Sequence, residues 1–196
     1  MMRRLYANWV YGGMLAGVLL LLLAPLLIGS WPIVLALTYL YLPVYMLHQY
    51  EEHDDDRFRR FVNANIGKGK EVLSPAAVFV INVPGVWGVI ALSLYLAARV
   101  NIGLSLIAVY LVLVNGVVHI VPAAVRGSYN PGLGTAIVLF LPFGAYSLRQ
   151  VQLAGGGTPL FHGIGLLSAV AIHVAIVLYA LRRRQTLALR KPASGR

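Results

Sequence analysis

Cysteine is absent from all 196 residues, which removes disulfides, thiolate metal ligands and cysteine nucleophiles from consideration. Acidic side chains are scarce as well. All six carboxylates fall between Glu51 and Glu71, five of them within Glu51 to Asp56, and elsewhere the chain is apolar or basic. Charged residues make up only 11% of a chain that is 59% hydrophobic, with a mean hydropathy of +0.78, which excludes an ordinary soluble globular protein. There is no internal repeat and no sign of a second domain, so residues 1–196 read as one transmembrane helical unit. Nor does a basic-aromatic module accompany the net charge of +10, which argues against a nucleic-acid partner.

What the chain does have is apolar length. Crossing a hydrocarbon core of about 30 Å takes about 20 residues of helix, and six runs approach or reach that: roughly 9–27, 31–48, 75–97, 102–121, 133–148 and 159–181. The expected fold is therefore an all-α polytopic bundle of six transmembrane helices. The first run is too long for a simple signal peptide and has no small-residue cleavage site. Pro25, Pro43, Pro84, Pro122 and Pro142 lie within or near these runs, which membrane helices tolerate because neighbours re-satisfy freed backbone groups.

Six spans would put every basic residue except Arg99 and Arg149 on one side, the side of both termini. The positive-inside rule then predicts cytoplasmic N and C termini, with a cytoplasmic loop over 54–74 and a basic, frayed tail over 182–196. The expected location is the plasma membrane of a prokaryote. Gly29-Ser-Trp-Pro32 predicts a tight hairpin between the first two helices, and Ser74-Pro75 a capped helix start. Arg57 to Val62 mixes cations and aromatics as a short interfacial helix would.

The informative segment is His48-Gln-Tyr-Glu51-Glu52-His53, at the end of the second run. On a helix, positions three and four apart share a face, so His48 stands with both Glu51 and Glu52. At a rise of about 1.5 Å per residue, distance from the nearest cytoplasmic-side boundary residue gives depth. His48 is nine residues from Arg57, His119 seven from Arg126, Asn115 eleven from Arg126, His173 nine from Arg182, and Asn82 seven past Pro75. All then fall roughly 10–17 Å from that boundary, on four different helices. Polar groups in a membrane are costly and face an interior site, and a shared depth is what a common site requires. His162 belongs near the opposite surface. His53 and Asp54 to Asp56 are expected at the mouth, in solvent.

Histidines and carboxylates of this kind suit one or two divalent ions, zinc or iron, held by His48, Glu51, Glu52, His119 and His173. Glu51 and Glu52 are also candidate acid–base groups, with Asn115 to position water. Taken alone, Asn82 and His173 fit plain hydrogen bonding within a helix bundle.

At these residues the chain resembles the HXXEE-motif family of integral-membrane proteins. The matching elements are His48-Gln-Tyr-Glu51-Glu52, Asn115-Gly-Val-Val-His119 and Tyr129-Asn-Pro131-Gly132, in that order. The resemblance implies a multi-spanning, metal-binding protein with metal-dependent enzymatic activity, and it supplies no substrate. It adds Tyr129, Pro131 and Gly132 to the site, with Tyr129 as a phenol donor to a bound oxyanion. The chain is also similar, in mechanism only, to glutamate-dependent intramembrane proteases of the type II CAAX-processing class. It departs from them because Arg57 stands one residue too far along, Asn115 replaces an aromatic, and His173 lacks an asparagine four residues on.

Three functions compete. The expected one is a metal-dependent hydrolase acting on a membrane lipid or another amphiphile at the cytoplasmic leaflet. A non-haem iron oxygenase or desaturase-like enzyme would use the same ligands. A transporter or lipid-binding protein is the non-enzymatic alternative.

Overall fold

The computed structural model describes residues 2–189, and among them every regular element is helical. We number seven helices: α1 (Met2–Ile28), α2 (Ile33–His53), α3 (Arg57–Asn65), α4 (Pro75–Arg99), α5 (Ile102–Arg126), α6 (Leu133–Leu153) and α7 (Pro159–Leu189). Five of them, α1, α4, α5, α6 and α7, are long and apolar enough to cross a membrane.

The sixth expected span, α2, has the length but not that composition. Four tyrosines, Pro43, His48 and Gln49 interrupt its apolar sequence. The physical reason is its position. Buried residues run along most of its length, from Val34 to His53, and it packs on α1, α4, α5 and α6. A helix enclosed by others does not need a lipid-compatible surface, so it can carry the polar groups of a site.

Several local expectations hold. The chain reverses between Ile28 and Ile33, and α1 and α2 lie against each other so closely that a Cβ on Gly17 would stand 3.0 Å from Met46 Cβ. Ser74 Oγ accepts from Ala77 N at 3.2 Å, capping α4. Arg57 to Val62 falls on α3, a short helix with a sharply segregated polar face. Its start is set by Asp55 and Asp56, both left-handed (φ 49° and 59°), a conformation aspartate tolerates better than most residues. Two expectations need correction. The fifth run extends beyond 148, to Leu153. The tail is not frayed from residue 182, because α7 stays helical to Leu189; Arg190, Lys191 and Arg196 lie outside the described residues.

Two helices contain π-helical segments, Ile81–Trp87 in α4 and Ala136–Phe140 in α6. Each is linked to a proline, Pro84 and Pro142, whose missing N–H and bulky ring forbid the regular i→i−4 bond. The interior divides into two apolar clusters. One gathers Tyr41, Tyr45, Ile90, Val109, Val112 and Phe140. The other gathers Trp9, Val62, Val72, Leu73 and Val78. Trp87 packs against both. The polar residues collect where the clusters meet.

Candidate metal centre

His48 and Glu52, one turn apart on α2, meet His119 from α5. All three are buried, at 0%, 4% and 4% exposure, and one ligand atom from each lies within 4.8 Å of the others. His48 Nε2 is 3.7 Å from Glu52 Oε2, and His119 Nε2 is 3.4 Å from Glu52 Oε1. The two imidazoles stand edge to face with centroids 5.1 Å apart.

The outer nitrogens of both rings are tied down, which assigns their protons. His48 Nδ1 lies 2.8 Å from Thr135 Oγ1. The single hydroxyl proton of Thr135 goes to Glu51 Oε2 or to Gly132 O, so the hydroxyl must accept from His48 Nδ1–H. His119 Nδ1 lies 2.9 Å from Asn130 Oδ1, while Asn130 Nδ2 donates to His119 O at 2.8 Å. That second bond fixes the amide, so Oδ1 accepts and His119 Nδ1 donates. Both Nε2 atoms are left with lone pairs turned towards the Glu52 carboxylate. His48 Nε2 has no hydrogen-bond partner although it is fully buried. An unsatisfied buried lone pair is costly unless something else occupies it. The His48 and His119 Nε2 atoms beside a carboxylate, each ring oriented by a partner on its far side, fit a divalent cation such as zinc or iron.

Gly132 explains why a glycine belongs in this neighbourhood. Its φ is +95°, and a Cβ there would stand 2.8 Å from His119 Cε1 and 2.9 Å from His48 Cε1. Pro131 lines the adjoining cavity.

The other expected site residues separate into two groups. Glu51 lies outside this three-residue group. Its oxygens accept from Tyr129 Oη (2.8 Å), Gly134 N (3.0 Å), Thr135 N (2.7 Å) and the Thr135 hydroxyl. It caps the first turn of α6, because three residues separate it from His48 at a different angle from Glu52. Tyr129, mostly exposed, is spent on the same carboxylate. Partial desolvation and, after it, this bond to Glu51 raise its phenol above the ordinary value.

The second group lines a cavity of about 540 Å³ that begins at Glu52 and His119. Asn115 is there, its Nδ2 donating to Tyr45 Oη at 2.8 Å and its Oδ1 unpaired. His173 also lines it, with Nδ1 donating to Ala169 O on its own helix at 2.8 Å, so it belongs to the wall and lies outside the three-residue group. Asn82 receives Gln49 Nε2 at 2.9 Å, and Gln49 Oε1 receives Trp87 Nε1 at 2.6 Å, a network that locks α2 to α4. His162, paired with Tyr110 Oη at 2.8 Å, takes no part in the cluster.

His53 overturns an expectation. Instead of lying in solvent it is buried, packed between Trp9 and Phe58, with Nε2 3.1 Å from Glu52 Oε2 but out of line for a hydrogen bond. The left-handed turn at Asp55 and Asp56 ends α2 just past it and folds α3 back over its ring. The aspartates are outside, paired with cations: Asp54 with Arg57 at 3.2 Å and Asp55 with Arg60 at 2.8 Å. Asp55 is held below its ordinary value chiefly by that bond to Arg60. Thr135, Asn130 and Gln49 are site-building residues that sequence reasoning missed. Asn130 lies inside the quoted Tyr129-Asn-Pro131-Gly132 motif, which was the available signal.

Long apolar helices around a buried histidine–glutamate cluster define the class: a helical membrane protein with a candidate metal centre. A family profile described as a protein of unknown function with HXXEE motif matches residues 39–147, which takes in His48, Glu51, Glu52, His119 and Gly132. The chain belongs to this HXXEE family. Among curated proteins and among solved structures, none matches it.

Proposed function

We propose that this protein is a metal-dependent integral-membrane hydrolase acting on a lipid or another amphiphile from the cytoplasmic leaflet. One observation carries the reading: the two Nε2 lone pairs of His48 and His119 and the Glu52 carboxylate converge, buried, with Glu52 and His119 on the wall of a largely apolar cavity. A bound divalent cation supplies Lewis acidity and brings the pKa of coordinated water towards about 7. The chain supplies the rest. His48, His119 and Glu52 hold the ion; Thr135 and Asn130 keep the two rings in the ligating tautomer. With Glu51 engaged in capping, His53 Nε2 is the remaining base beside the centre, 3.1 Å from Glu52, and would serve to accept a proton there. Asn115 Oδ1 accepts from a donor on the substrate or from that water.

The test is elemental analysis of the purified chain together with a lipid-ester turnover assay. The expected result is one divalent ion per chain in the wild type, lost in His48→Ala and His119→Ala, and turnover abolished in Glu52→Gln. Wild-type protein that takes up no ion when offered zinc or iron would refute the proposal.

A redox reading draws on a specific feature. Two histidines and one carboxylate, with the second glutamate withdrawn, are the residue types that non-haem iron enzymes use to hold their metal. Ferrous loading followed by optical and paramagnetic spectra separates the two. In this reading both termini face the cytoplasm and α2 is the sixth span.

A further inference from the structure

The cavity runs along α5 from His119 towards Arg126, seven residues and roughly 10 Å of helix axis away. Its walls are mostly apolar. Val118 of α5 and Val170, Val174 and Val177 of α7 line it, yet they are also 47%, 42%, 48% and 45% exposed. Residues that both line a cavity and face outwards mark an opening, and on a membrane helix that opening faces hydrocarbon chains. At about 540 Å³ the space matches sites that take one small ligand.

Charge distinguishes the far end. Among the described residues, Arg126 is the only lysine or arginine lining the cavity. Among the described residues its guanidinium meets no carboxylate. It makes a long 3.5 Å contact with Asn65 Oδ1 and lies 6.0 Å from the Phe61 ring centroid. The arginines of α3 differ: Arg57, Arg59 and Arg60 each pair with an aspartate. An unneutralised guanidinium beside an apolar, sideways-open cavity suits an anionic head on a hydrocarbon chain, since guanidinium–oxyanion bonds are short and charge-assisted. Deeper in, Asn115 Oδ1 waits unpaired for a donor.

From this arrangement we infer that the cavity binds a single-chain anionic amphiphile taken sideways from the membrane, its head on Arg126 and its chain passing the His48–Glu52–His119 centre. As a substrate for the enzyme proposed above, such an amphiphile carries its hydrolysable bond in the chain beside the centre, with palmitate as the non-reacting probe; the inference rests on that proposal only for the chemistry, because binding is measured without turnover.

The test titrates the detergent-purified full chain with palmitate and with methyl palmitate, following bound ligand by native mass spectrometry. One palmitate per chain is expected, bound about tenfold more tightly than the ester. Arg126→Gln should abolish that preference at unchanged metal content, and Val174→Trp should weaken both ligands by narrowing the opening. His48→Ala should lose the metal but keep palmitate. Equal binding of acid and ester by the wild type, or an unchanged preference in Arg126→Gln, overturns the inference and leaves the metal centre standing. Palmitate binding intact beside a wild type that takes up no metal overturns the enzyme proposal alone.

Discussion

Thr135 is the residue on which the geometry of His48 turns. Its hydroxyl passes the influence of Glu51 to the imidazole and fixes the tautomer that ligation needs. Thr135→Val keeps the shape and deletes the acceptor, so metal affinity should fall about 10–100-fold, the usual cost of removing an outer-shell partner; Thr135→Ser should retain it. Competition against a chromogenic chelator measures both. Gly132 works by what it lacks. Gly132→Ala would press a methyl group against both imidazoles at a backbone angle that L-residues resist. The expected outcome is a destabilisation of about 1 kcal/mol or more together with weakened metal binding, seen in parallel thermal unfolding and chelator titrations. A variant with wild-type affinity would mean that the two rings are not confined by this backbone.

At the scale of elements, the contact that matters joins the end of α2 to the start of α6. Glu51 accepts from the first amides of α6, where a negative charge is favoured by the exposed N–H groups and the helix dipole. Glu51→Ala should cost about 1 kcal/mol of stability through the lost cap and lower metal affinity only indirectly, through His48. A ligand role predicts a different pattern, in which metal is lost and the apo-protein unfolds at its usual temperature. A second element contact is the crossing of α5 and α7, where a Cβ on Gly165 would lie 2.6 Å from Leu106 O. Gly165→Leu should therefore destabilise by about 1–3 kcal/mol, as overpacking generally does. A wild-type unfolding midpoint in detergent would count against this packing.

For the whole molecule, the absence of cysteine makes orientation in the membrane directly testable. Ser128→Cys, in the loop after α5, and Ala154→Cys, in the loop after α6, are both exposed positions. If the basic residues mark the cytoplasmic side, a membrane-impermeant thiol reagent added to intact cells should label Ala154→Cys and spare Ser128→Cys until the membrane is broken. The reverse pattern would invert the bundle and move the centre to the outer leaflet.

Much of this was legible before any coordinates. The apolar runs followed from hydropathy alone, although the helices overran them at several ends. The shared depth of His48, Asn82, Asn115, His119 and His173 was a matter of counting residues along helices. All but His48 were further joined by lining one cavity with Glu52, and His48 met Glu52 directly. Azimuth is what counting cannot supply. Glu51 and Glu52 are neighbours in sequence with equivalent chemistry, but one faces two imidazoles and the other a helix end. His53 looked solvated because acidic residues follow it, and only the left-handed turn at Asp55 and Asp56 shows why it is covered.

The sequence by itself determined the all-helical, membrane-suited character of the chain and the identity of its chemically capable side chains, because hydrophobic length and residue type are local properties. Tertiary structure alone decided which of them converge. Whether a carboxylate becomes a ligand or a cap depends on the rotation and packing of α2 against α5 and α6, and that is settled by contacts between residues far apart in the chain.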